Sequence, residues 1–234
     1  METTPPSASF FAQVSQDLMQ IGEETPTLQN VVERAVEVVP ACDWASVTLR
    51  RRRNRTETVA ASSDVAVQVD QLQYDLGEGP CLEAAVTGQP RVSNHLATSQ
   101  DWPRWGPRAA DIGVHAILGI QLSTAEEVLG ALNLYSGTPG AFGHEDLDVA
   151  DIYATHATNA LTAARMSSGL RTALHSRHMI GVAQGILMQT YELTMEQSFE
   201  LLRRYSSHTN TKLADVAEYV VTHGALPDSH PELR

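Results

Sequence analysis

Lysine is nearly missing from this chain of 234 residues: Lys212 is the only one. Sixteen basic residues face 28 acidic ones, for a net charge of −12. A protein that grips duplex DNA by broad phosphate attraction is therefore not expected. Two cysteines, Cys42 and Cys81, are too few for a disulfide framework. No run of eighteen apolar residues occurs, so no membrane span is expected. The opening Met1-Glu2-Thr3-Thr4-Pro5-Pro6 has neither a basic nor an apolar region of the secretory kind. A cytoplasmic protein with reduced thiols is the expectation. No two of the nine histidines stand four apart, and none lies near a cysteine pair with zinc spacing, so no metal site is expected. A G-x-S-x-G elbow is lacking, and the glycines at Gly77 and Gly79 lack the spacing of a phosphate-binding loop. Nothing argues for catalysis, and no cofactor is evident.

What is present is clearest near the C-terminus. From Leu174 to Gln189 there is no proline, and Ile180, Ala183 and Leu187 recur at helical spacing. Another face of that helix carries Arg177, Gly181, Gln184, Gly185 and Met188. Two glycines inside a helix cost about 1 kcal/mol each, which suggests that something approaches the backbone there. Thr194 followed by Gln197 is a capping-box pattern that starts a second helix. Met195, Ser198, Phe199, Leu202 and Ser206 are expected on its inner face. A third helix should bury Leu213, Val216, Ala217 and Val220 and stop at Gly224.

Arg177-x-x-Ile180-x-x-Ala183-x-Gly185-Ile186-Leu187-Met188, then Phe199-x-x-Leu202-Arg203, then Leu213-x-x-Val216-Ala217, resembles the ANTAR domain over roughly 170–224. Gln184 stands where many members have lysine, and Ser206 where many have alanine. The resemblance implies a three-helix domain that binds RNA hairpins in nascent transcripts and prevents termination. Residue chemistry and motif position together nominate Arg177, Gly181, Ala183, Gln184, Gly185, Met188, Arg203, Arg204, Tyr205, Thr211 and Lys212 as RNA contacts. Gln184 can bond a base edge, Tyr205 can stack an unpaired base, and the cations can meet phosphates. Residues 166–234 hold 6 basic and 7 acidic side chains, whereas residues 1–165 hold 10 and 21. The acidity thus belongs to the N-terminal part, and RNA recognition would have to come from the shape and bases of a loop.

Upstream, residues 1–8 are expected to be disordered. Phe10, Val14, Leu18 and Ile21 mark a first helix, and Leu28 to Val39 a second. Ala45–Leu49 and Thr56–Ala60 should form a hairpin around Arg50, Arg51, Arg52, Arg53 and Arg55, read as a solvated tip. Gln68–Leu72 reads as a further strand. Gly79-Pro80 opens a short helix, Val92 a short extended piece, and Asp101–Trp105 a helical turn. His115–Leu122 and Val128–Tyr135 read as buried strands, and helix resumes near Glu145. The expected class is α+β, with an antiparallel sheet of five or six strands flanked by helices, then a coiled-coil-like helical linker and the three-helix unit. Leu76-Gly77-Glu78-Gly79-Pro80-Cys81, Gly130-Ala131-Leu132-Asn133-Leu134-Tyr135 and Phe142 make the stretch from about Gln13 to Ala164 similar to the GAF family of sensor modules. Expected boundaries are 9–165 for the sensor, with its last helix at about 144–166, then 166–226 for the RNA-binding unit and 227–234 for a tail.

Tyr74, Cys81, His95, Trp102, Trp105 and His115 are candidates for contact with an unidentified small-molecule ligand. Trp102, Trp105 and Cys81 could equally be core. Cys81 opens a helix, where a thiol can ionise more easily, and a redox role with Cys42 competes with simple burial. Ala150, Ala154, Ala157, Leu161, Ala164 and Leu170 form a seam of small residues expected to serve both the sheet and a twofold partner, hence a homodimer. The expected function is a transcription antitermination regulator meeting the transcription machinery through RNA. A small-molecule or redox sensor acting through a protein partner, and a DNA-binding transcription factor, stay open as alternatives.

Overall fold

The computed structural model describes residues 8–20, 22–51 and 55–227. Residues 1–7 of the expected disordered segment, Ile21, Arg52 and Arg53 at the hairpin tip, and residues 228–234 of the expected tail lie outside the described residues. The chain divides into two compact units, 1–167 and 168–234.

The first unit opens with helices α1 (Ala8–Met19) and α2 (Glu24–Val38), followed by strands β1 (Trp44–Arg51) and β2 (Arg55–Ala61). Helices α3 (Asp64–Leu76) and α4 (Pro80–Thr87), strand β3 (Arg91–Ser93) and helix α5 (Trp105–Asp111) come next. Strands β4 (Ala116–Ser123) and β5 (Val128–Ser136) then lead into α6 (His144–Tyr191). Gly169 does not interrupt α6, whose first part packs in this unit and whose second part belongs to the C-terminal one.

The five strands form one antiparallel sheet in the order β2-β1-β5-β4-β3. Strand alternation sorts its two faces. Ala45, Val47, Leu49, Leu118, Ile120, Leu132 and Leu134 join α1, α2 and α6 in the larger apolar core. Each such buried aliphatic side chain contributes about 1.5–3 kcal/mol. On the opposite face Ile117 and Tyr135 meet Val69, Leu96, Trp102 and Trp105 in a second core.

Gln68–Leu72, read as a strand, lies inside α3. Ser63 caps that helix by accepting from the Ala66 amide, and Gly77 closes it in a left-handed conformation. Ala66, Val69, Asp70 and Gln73 are buried at spacings of three, four and seven, which is helical.

The seam of small residues is also resolved differently. Ala150, Ala154, Ala157, Leu161 and Ala164 are all buried within their own chain. All but Ala164 belong to the sheet-facing core, so they cannot also face a twofold partner. Small side chains here let α6 lie close to the sheet, and the Tyr153 hydroxyl donates to the Val31 carbonyl at 2.6 Å. Leu170 alone of the seam is exposed, at 62%.

The second unit contains the end of α6, α7 (Met195–Thr209) and α8 (Leu213–His223). Ala183 and Leu187 of α6, Leu202 and Tyr205 of α7, and Val216, Ala217 and Val220 of α8 make its core. The capping box forms, with Gln197 N donating to Thr194 Oγ1 at 3.2 Å and Thr194 N to Gln197 Oε1 at 2.8 Å. Gly224 ends α8 at φ 77°.

Candidate nucleic-acid interface and buried polar centre

On α6, Gly181 and Gly185 stand one turn apart and are both exposed. A side chain added at either would meet open space, so nothing within the chain requires these glycines. They leave a strip of helix backbone bare. Gln184, between them, donates its Nε2 to the Met195 carbonyl at 3.0 Å. Its amide therefore ties α6 to the start of α7 and keeps Oε1 and the second Nε2 hydrogen for other partners. Arg177 and Arg204 are exposed, and Arg203 is held by Glu200 at 2.7 Å. The Arg203 hydrogen bond also holds the exposed Glu200 carboxyl below its usual range. Met188 is half-buried, and Thr211 and Lys212 are exposed at the turn into α8.

Two of the expected RNA contacts are placed elsewhere. Tyr205 is only 5% exposed and belongs to the three-helix core, so its ring cannot stack a base across an open surface. Ala183 is fully buried beside it. Of the inner face expected for α7, Ser198 and Leu202 are buried and Tyr205 joins them, whereas Met195 and Phe199 are 65% and 38% exposed. The Ser198 hydroxyl is satisfied inside by donating to the Met195 carbonyl at 2.8 Å.

The other chemically distinctive place is under α3 and α4, on the second face of the sheet. Asp70 is fully buried. Its carboxylate accepts from the Tyr135 hydroxyl, from Thr58 Oγ1 at 2.8 Å, from Asn133 Nδ2 at 3.3 Å and from Gln73 Nε2 at 3.4 Å. Asn133 Nδ2 also reaches Ser46 Oγ at 3.0 Å and Thr48 Oγ1 at 3.2 Å, while its Oδ1 is buried without a partner among the described residues. Tyr74 shares its hydroxyl with Thr48 and Thr58 at 2.9 and 2.8 Å. Gln73 Oε1 accepts from the Cys81 amide at 2.9 Å. Desolvation raises the Asp70 pKa despite these donors. Burial together with the Asp70 charge raises Tyr135 and Tyr74 as well.

The same burial pushes the Cys81 thiol up to about 12, against the expectation of easy ionisation at a helix start. Cys42 is likewise raised to about 12 and lies in the other core, so the two thiols are not brought together. Of the remaining ligand candidates, Trp102 and Trp105 are core residues whose indoles donate to Glu83 Oε1 and the Val69 carbonyl. His95 is exposed and His115 half-buried. Tyr74 and Cys81 alone of that set adjoin the Asp70 centre. Nothing in the pattern of the chain signalled Asp70, Gln73 or Asn133. Among the described residues no group of three or more histidine, cysteine or acidic side chains is placed to hold a metal ion, and no helix is long and apolar enough to cross a membrane.

The chain thus joins an antiparallel sheet layered with helices to a small helical unit with a bared backbone strip. Residues 23–162 match the GAF domain family and residues 168–221 the ANTAR domain. The chain belongs to the GAF family and carries a C-terminal ANTAR domain, which makes it an ANTAR-type RNA-binding antiterminator, an architecture typical of non-enzymatic regulators. No curated protein matches the chain significantly. Among solved structures it is similar to the GAF domain of a phosphoenolpyruvate-protein phosphotransferase from Coxiella burnetii, at 18% identity and TM-score 0.54, over 70% of this chain and 99% of that one. It is similar to free methionine-R-sulfoxide reductase from Neisseria meningitidis, at 14% and 0.53, over 70% and 96%. A bacteriophytochrome from R. palustris aligns at 11% and 0.57, over 86% of this chain and 47% of that one. These likenesses concern the fold alone.

Proposed function

We propose that the C-terminal unit binds hairpin loops in leader transcripts and lets transcription read through into downstream genes. The N-terminal unit biases this binding in response to a signal in the cytoplasm, and the chain acts as a homodimer through α6 beyond the buried seam, where Met166, Leu170 and Leu174 are exposed at helical spacing. A signal ligand shifts such an equilibrium only by its differential affinity for the two states. The observation that carries this reading is the pair of exposed, sterically unneeded glycines on α6, within the stretch that matches the ANTAR domain. A helix tolerates two costly residues at open positions where a ligand must lie against its backbone. Arg177 and Arg204 supply charge to the phosphates, and Gln184 Oε1 offers an acceptor to a base edge. Because the unit carries so few cations, binding should depend only weakly on salt.

Gly185→Ala separates folding from recognition. It should raise the melting temperature, by up to about 1 kcal/mol of helix stability. It should also lower affinity for hairpins that the full-length protein selects from a pool with randomised loops, measured by filter binding at ~150 mM salt. Fully paired RNA and duplex DNA serve as controls. Unchanged hairpin affinity in a stabilised Gly185→Ala protein would remove the glycine strip from the interface.

A further inference from the structure

We propose that the groove between α7 and α8 seats a single unstacked base of the RNA loop, one that carries an exocyclic amino group. The inference rests on the RNA reading above and adds a site to it. The groove is open to solvent, offers about 520 Å³, and its lining includes His208, Thr209, Thr211, Asp215, Tyr219 and Pro227. Tyr219 is 38% exposed, and the His223 ring backs it with centroids 3.9 Å apart and planes 14° from parallel. His223 Nδ1 lies 2.9 Å from the Tyr219 carbonyl, which fixes the pair along α8. The aromatic wall is therefore ordered before any base arrives, and little side-chain freedom is left to lose on binding. Base-on-aromatic stacking is the common means of holding an extruded base.

The polar wall says which base. Asp215 presents carboxylate oxygens, which accept. It attracts the amino group of adenine, cytosine or guanine and repels the carbonyl edge of uracil. The same charge keeps phosphate out, so a base enters and the backbone stays at the rim, where Lys212 is exposed. Thr209 and Thr211 spend their hydroxyl protons on the carbonyls of Tyr205 and Thr209, at 2.8 and 3.4 Å. Their oxygens then remain as acceptors beside Asp215.

The test uses full-length protein and the hairpins that it selects from a pool with randomised loops. Each loop base is changed in turn to uracil, and affinity is measured at ~150 mM salt. At one position the wild type should lose about 10-fold or more. Asp215→Asn should become indifferent to uracil at that position and no other. Tyr219→Ala should lose a comparable factor, whereas Tyr219→Phe keeps the ring and the affinity. Wild-type affinity and loop preference in both Tyr219→Ala and Asp215→Asn would overturn the groove while hairpin recognition stands. If the wild type selects no hairpin at all, both readings fall.

Discussion

Asp70→Ala is expected to cost about 3–5 kcal/mol of folding stability, the range for removing one partner from a buried charged network. The substitution takes an acceptor from four donors at once: the Tyr135 hydroxyl, Thr58 Oγ1, and the amides of Asn133 and Gln73. Tyr135, Asn133 and Gln73 are fully buried, and what remains to them is each other and the Ser46 and Thr48 hydroxyls. The same group predicts a pH dependence. Its pKa is raised in the folded protein relative to an unfolded value near 3.9. Between those two values folding takes up a proton. Its contribution is therefore fully present below the unfolded value and declines as pH rises through the window, with no further change above the folded value. Urea denaturation of the wild type and Asp70→Asn at pH values upward from the unfolded value checks this. Wild-type stability relative to Asp70→Asn should rise as pH falls toward the unfolded value, and a parallel pair of curves would show that Asp70 does not take up the proton.

Gly130→Ala should be at least as damaging, for a steric reason. Gly130 on β5 lies opposite Leu49 on β1. A Cβ at that position would stand 1.8 Å from the Thr48 carbonyl oxygen and 2.9 Å from the Leu49 Cα. Both are backbone atoms of a central strand, so no rotamer can relieve the overlap. Overpacking that side chains can absorb costs about 1–3 kcal/mol, and a backbone clash between central strands should exceed that range. Gly169→Ala is the matched control, since a side chain there meets nothing. It should stabilise α6 by up to about 1 kcal/mol. Comparing the two variants by thermal melting separates steric exclusion from the general effect of replacing glycine; equal melting temperatures would contradict the β1–β5 packing.

The elements with strong local signals were readable from the chain. The capping pair Thr194 and Gln197 marked the start of α7, and Gly224 the end of α8. Both central hairpin strands β4 and β5 follow from their apolar runs, and the ANTAR and GAF motifs pointed to the families that match. Gln68–Leu72 does not read as helix because the inner face of α3 includes Asp70 and Gln73 beside Ala66 and Val69, and periodicity counts Asp and Gln as solvent-facing. Phe199 is expected in the core beside Ser198 and Leu202, yet it is 38% exposed while those two are buried.

By itself the sequence determined the order of the elements apart from α3, the division into an acidic sheet-bearing part and a nearly neutral helical part, and the family of each. Those properties reside in local pattern and composition, which need no knowledge of what packs on what. Only the tertiary structure decided what becomes of the second face of the sheet. Ser46 and Thr48 alternate with apolar neighbours and Asn133 stands inside an apolar run, and all three polar side chains are fully buried. Helices α3 and α4 close over them, and Asp70 gathers their hydrogen bonds into one centre. A polar side chain is stable inside when its partners are brought to it from elsewhere in the chain. Those partners come from segments 12 to 87 residues away, a separation that no local pattern encodes.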